Sequence, residues 1–96
     1  MSRSFSLALP AILTSEQAPA LTRDLETLIS TQVGEGQEAQ LDASALTQFD
    51  SSALAVILAC RRAALACGGS LRVTGLPERA RVLSEVYGVS GLLAKP

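Results

Sequence analysis

Phe49-Asp50-Ser51-Ser52 opens directly into an unbroken apolar run, Ala53 to Cys60, and Gly68-Gly69 follows at the far end of that segment. An acid and two hydroxyls suit a helix start, where backbone N–H groups are unpaired and partial positive charge collects. Two glycines suit a helix end. The spacing therefore predicts a helix over about 51–66. A hydroxyl displayed at its start can be a cap, a contact point for a partner or a phosphorylation site. These residues alone leave all three open.

The flanking segments extend the pattern. Ser70-Leu71-Arg72-Val73-Thr74 alternates as a strand does, and so does Phe5-Ser6-Leu7-Ala8-Leu9, which ends at Pro10. Thr14 and Gln17 form a capping box, Pro19 falls in the first turn of a helix, and Leu21, Leu25, Leu28 and Ile29 mark one face of it. Gly34-Glu35-Gly36 ends that helix in a loop. Residues 39–43 read as a strand because a loop and a helix follow at the lengths of a βα unit. Gly75-Leu76-Pro77 turns into a further helix, whose buried face is assigned to Val82, Leu83 and Val86 and whose end is Tyr87-Gly88. Val89 to Leu93 is expected to add a last strand or to pack as a turn. Strand and helix in alternation predict an α/β fold with a mostly parallel sheet. About four strands and three to four helices are expected, in a single domain over 1–96.

Composition narrows what such a domain can do. Hydrophobic residues are 48% of the chain and aromatic residues 3%, so the core must be built from Leu, Val, Ile and Ala. That excludes disorder, and it argues against single-stranded nucleic acid, which is bound on aromatic platforms. A net charge of −1 gives no field toward nucleic acid or an anionic membrane. The halves differ, however. Residues 1–50 hold seven acids against Arg3 and Arg23, while 51–96 hold six cations, Lys95 among them, against Glu78 and Glu85. Ordinary solvated faces and two faces that orient a partner both fit this division.

Cys60 and Cys67 would lie two helical turns apart, ~10.5 Å along the axis, too far for a disulfide. With no His and no C-x-x-C pair, they do not form a zinc site. Buried or half-buried thiols in a reducing cytoplasm are expected. No apolar run approaches the ~20 residues of a membrane span, so a soluble cytoplasmic protein is expected.

Catalysis lacks its parts. Without His there is no usual base for a serine nucleophile. No Gly-x-x-x-x-Gly-Lys loop is present to cradle phosphates, and Gly34 to Gly36 follows a helix instead of a strand. Asp42 and Asp50 fall short of a metal's ligand set. Asp50 is read as an N-cap, bonded to the N–H of Ala53 or its neighbour, and Asp42 as a loop-end residue bonding local backbone. The chain is expected to be no enzyme and to carry no cofactor.

Together these residues resemble a STAS domain, the module of bacterial anti-sigma-factor antagonists and sulfate-transporter tails. The likeness runs from Leu7-Ala8-Leu9 to Tyr87-Gly88. It is sharpest at Leu41-Asp42, at Phe49-Asp50-Ser51-Ser52-Ala53-Leu54 and at Gly68-Gly69-Ser70-Leu71. It implies that Ser51, the hydroxyl directly after the aspartate, is a regulatory position. The ending Leu83-Ser84-Glu85-Val86-Tyr87-Gly88-Val89 and the single-domain length are similar to the small STAS subunit of Mla-type phospholipid-transport ABC complexes. That likeness implies a non-catalytic regulatory or accessory subunit, which binds the cytoplasmic ATPase of a complex maintaining outer-membrane lipid asymmetry. It would meet the inner membrane only through this partner.

The expected contact centre is Ser51, Ser52 and Ala53, with Asp50 beside it among the partner-binding residues and Arg81 and Tyr87 as anchors. The alternative role is an anti-sigma-factor antagonist, phosphorylated on Ser51 by a switch kinase. The sequence also departs from the family pattern. STAS domains commonly place two strands before the first helix, whereas this chain has room for little more than one. The Phe5–Leu9 edge is therefore expected to be exposed, or covered by a second copy in a homodimer. Transporter subunits often carry threonine and glycines after the aspartate, so Ala53 is expected to add a methyl group to the docking surface.

Overall fold

The structure, a computed structural model, describes residues 4–93; Arg3 and Lys95, counted in the charge balance, lie outside them. In chain order the elements are β1 (Ser4–Ala8), β2 (Ile12–Leu13), α1 (Ala18–Gln32), β3 (Glu38–Asp42), β4 (Gln48–Phe49), α2 (Ser52–Ala66), β5 (Ser70–Thr74), α3 (Glu78–Val86) and α4 (Ser90–Leu93). Strands β1, β3 and β5 form one parallel sheet in the order β1-β3-β5, and β2 pairs with β4 in a second, two-stranded parallel sheet.

Register makes the main sheet one-sided. Phe5, Ala39 and Leu71 lie abreast, as do Leu7, Leu41 and Val73, whereas the intervening row is Ser6, Gln40 and Arg72. Side chains alternate between faces along a strand, so one face is apolar and the other polar. On the apolar face, Leu25 and Ile29 of α1 join Ala53, Val56, Ile57, Cys60 and Ala64 of α2 in one core with Ala39 and Leu41. On the polar face, Arg72 Nε bonds Glu38 at 3.3 Å. Parallel sheets usually carry helices on both faces; this one turns a polar face outward.

Half of the expected Thr14–Gln17 box forms, because the Gln17 N–H donates to the Thr14 backbone carbonyl and not to its hydroxyl. The Thr14 N–H donates to Gln17 Oε1 at 2.9 Å, closing the turn that leads into α1. Leu25 and Ile29 face the core, but Leu28 is exposed. The chain does place two strands before α1, the second only two residues long. The main sheet nevertheless has three strands instead of about four, because Ser90–Leu93 is helical and not a strand. Among the described residues, no strand pairs with the outer edge of β1.

Helices α2 and α3 end alike. Gly68, at φ +80, donates to the Leu65 carbonyl and Gly69 donates to that of Ala64; Gly88, at φ +73, donates to Glu85, and Val89 to Ser84. Both ends are Schellman motifs, in which a glycine takes the left-handed position. The second of them turns the chain sharply after Tyr87, which is why 89–93 does not continue as a strand.

Cys60 is buried and Cys67 half-buried, both as free thiols. Burial, with the Glu26 carboxylate adding to it, pushes the Cys60 thiol up to about 12. At neutral pH that sulfur stays protonated and unreactive. No helix among the described residues is long and apolar enough to cross a membrane.

Candidate docking surface

The small sheet builds the corner on which the site stands. Leu13 pairs with Phe49, and the Thr47 and Gln48 N–H groups both donate to the Ala11 carbonyl. That anchorage fixes Phe49 immediately before the turn into α2. Asp50 then accepts the Ser52 N–H on Oδ1 at 2.8 Å and the Ser15 N–H on Oδ2 at 3.4 Å. One carboxylate thus joins the start of α2 to the turn before α1. The cap falls on Ser52, the neighbour of Ala53, whose own N–H donates to the Asp50 backbone carbonyl. Asp42 likewise accepts the Ser44 N–H at 2.9 Å.

The Ser52 N–H, which is a better partner for the ionised form, holds the Asp50 carboxyl below its ordinary 3.8. A folded-state value below the unfolded one contributes stability that is present above pH 3.8 and is lost as pH falls through the folded value. Below pH 3.8, the urea midpoint of the wild type should therefore fall more steeply than that of Asp50→Asn. Parallel slopes for the two proteins over pH 2–5 would show that the cap contributes nothing to acid unfolding.

Ser51 is exposed, and its hydroxyl makes no hydrogen bond among the described residues. Two adjoining hollows share it with Tyr87. One is lined by Phe49, Asp50, Arg79, Val82, Leu83 and Val86, and the other by Leu54, Ala55, Leu58 and Val89. They form one groove between the start of α2 and the α3–α4 turn. Its rim is apolar: Val82 is 44% exposed, Val86 74% and Tyr87 57%. Apolar side chains so exposed and so close together mark interaction sites in folded domains.

Several expected positions change. Val82 and Val86 do not bury the inner face of α3; Ala80 and Ser84 do, with Leu83 half-buried. Their small side chains let α3 lie close, and the Ser84 hydroxyl donates to the Arg81 carbonyl at 2.6 Å. Ala53 is 1% exposed and packs in the core, so its methyl adds nothing to the surface; Ala55 lines the groove instead. Ser52 is half-buried beside it. Arg81 is not among the groove residues and bonds Glu78 and Glu85 along its own helix. Those two carboxylates hold the Arg81 guanidinium above its ordinary value, Glu78 most of all.

Arg79 takes the place expected of Arg81. Its guanidinium lies over the Phe49 ring, 4.6 Å from the centroid. A signal for this exchange is present in the sequence. Glu78 and Glu85 stand three before and four after Arg81, the spacing of helical ion pairs, whereas Leu76, Gly75, Val82 and Leu83 occupy those places around Arg79.

No curated protein matches the chain. A family model described as "Mlab, STAS domain" matches residues 2–94. The matched span includes the capped corner, the α2 start and the α3 end that make the groove, and the fold agrees with it. The chain belongs to the STAS domain family, in the general company of anti-sigma-factor-antagonist-like and accessory domains.

Proposed function

We propose that this protein is a non-catalytic accessory subunit that docks on the cytoplasmic ATPase of a phospholipid-transport ABC complex. The observation carrying this reading is the groove at the α2 start, where the exposed Ser51 hydroxyl stands against the apolar wall of Val82, Val86 and Tyr87. The description of the matching family as Mlab supports the choice of partner. In this role the protein would be cytoplasmic and would meet the inner membrane only through the transporter. It would take no part in ATP chemistry itself.

The test is a pull-down against the cytoplasmic ATPase of a phospholipid-transport ABC complex from the same cell. Ser51→Arg places a long cation in the groove, and Val86→Asp places a charge on its most exposed apolar residue. Each should weaken capture roughly tenfold or more, as truncations at the centre of an interface do. Circular dichroism should show both variants folded, because neither side chain is in the core. Folded variants that bind as well as the wild type would overturn the assignment.

The free Ser51 hydroxyl favours a second reading, in which Ser51 is phosphorylated in a partner-switching pathway. A phosphate there would lie at the positive end of α2 and in the same groove as Arg79, although beside Asp50. Incubation with switch kinases and ATP, read by intact mass, should then add one phosphate to the wild type and none to Ser51→Ala. An unchanged wild-type mass removes this reading.

A further inference from the structure

We infer that the partner segment seated in this groove is an amphipathic stretch with an acidic side chain, whose carboxylate is taken by Arg79. The inference rests on the docking role proposed above and adds the chemistry of the segment that docks. The charges around the groove carry it. Both Asp50 oxygens accept backbone N–H groups. Glu78 and Glu85 are held by Arg81. Arg79 has no carboxylate partner among the described residues; of the two ionic groups lining the groove, Asp50 keeps its charge but has both oxygens hydrogen-bonded, whereas the Arg79 guanidinium has its hydrogen-bonding capacity unused. The adjacent start of α2 adds partial positive charge of the same sign.

Geometry prepares Arg79 for that contact. The cation–π contact with Phe49 holds the guanidinium beside the groove. A stacked arginine can still present its N–H fork, which matches a carboxylate with two parallel bonds. From Arg79 the groove continues past Val82 and Val86 to Tyr87, and then to Leu54, Leu58 and Val89. A complementary segment therefore pairs its acid with one end and inserts apolar side chains along the remainder. A basic segment would meet Arg79 with like charge and lose that contact. A neutral segment would leave the cation desolvated without a partner.

The test measures affinity for that transporter ATPase with four folded proteins: wild type, Arg79→Ala, Arg79→Lys and Arg79→Glu. Removal of the guanidinium should weaken binding roughly tenfold, and charge reversal about a hundredfold, in line with arginine anchors and like-charge juxtaposition at interfaces. Arg79→Lys keeps the charge but loses the stacked fork, so it should fall between wild type and Arg79→Ala. Raising the salt should weaken the wild type more than Arg79→Ala, because exposed charge pairs are screened. An acidic-to-arginine change in the docked ATPase segment should restore binding to Arg79→Glu.

If Ser51→Arg and Val86→Asp abolish binding while Arg79→Glu binds as the wild type does, the docking role stands and the acidic partner is refuted. If all three bind normally, the docking role itself fails. Binding to Arg79→Glu that is tighter than to wild type would assign the segment the opposite charge.

Discussion

Ile57→Ala should destabilise the domain by about 2–5 kcal/mol, the range for deleting a fully buried branched side chain and leaving a cavity. Ile57 is 0% exposed and sits in the middle of α2, the helix that supplies the largest share of the core. Many of its neighbours along α2 are alanines, which cannot swing across to fill the vacated space. Domains are stable by only ~0.05–0.15 kcal/mol per residue, so the loss is a large part of the total in a chain of 96 residues. Urea unfolding should show the midpoint falling with an unchanged slope. Leu65→Ala is the control, on the same helix but with Leu65 48% exposed. It should change stability by about 0.5 kcal/mol or less. Equal effects at the two positions would mean that α2 is not packed as described.

Gly69→Ala should cost about 1–3 kcal/mol, as overpacking does, although it adds only one methyl group. An added Cβ would stand 2.5 Å from the Gln37 carbonyl oxygen and 2.7 Å from Val33 Cγ1. The carbonyl cannot yield freely, because it accepts the Ser70 N–H at 3.0 Å, the bond that sets β5 beside β3. Clash relief would therefore act on sheet register and on the end of α2 together. Gly91→Ala gives the opposite sign. Its Cβ would meet nothing within 4 Å, and in α4 the change removes backbone freedom from the unfolded chain, a gain of ~0.4–1 kcal/mol. Thermal melts of the two variants should move in opposite directions, and a Gly69→Ala protein as stable as wild type would show that the close approach relaxes without cost.

Signals carried within one element survived from sequence to structure. The β5 alternation, the Gln17 half of the Thr14–Gln17 box and the Gly68-Gly69 ending each lie within a few residues, and each appears where it was expected. Signals that depend on distant segments did not. Ile12-Leu13 and Gln48-Phe49 are too short to show any periodicity, and they become strands only by pairing with each other. Val82 and Val86 show another limit. An apolar stripe at helical spacing marks a face that avoids water, and it cannot say whether that face meets the protein's own core or a partner. Ala80 and Ser84 fill the inner face because α3 lies close, a fact that resides in tertiary packing. At the site, Ser51 and Tyr87 were legible, since both stand at helix ends marked by a cap or a glycine. Ala53 faces the core, and the surface alanine is Ala55, two residues further along α2.

The strand order bears on how the chain can assemble. β3 is flanked on both sides, by β1 and by β5, and each pairing joins segments a whole βα unit apart. Among the described residues no hairpin offers a short loop to close first, and closing long loops is what slows parallel sheets. During synthesis from the N-terminus, β1 must wait for β3, and the apolar side of α2 then emerges before β5 exists to pack beside it. A chain paused short of Ser70 would present that greasy helix to the ribosome's surroundings. The interval between α2 and β5 is thus the stretch of translation in which this domain most needs a chaperone at hand.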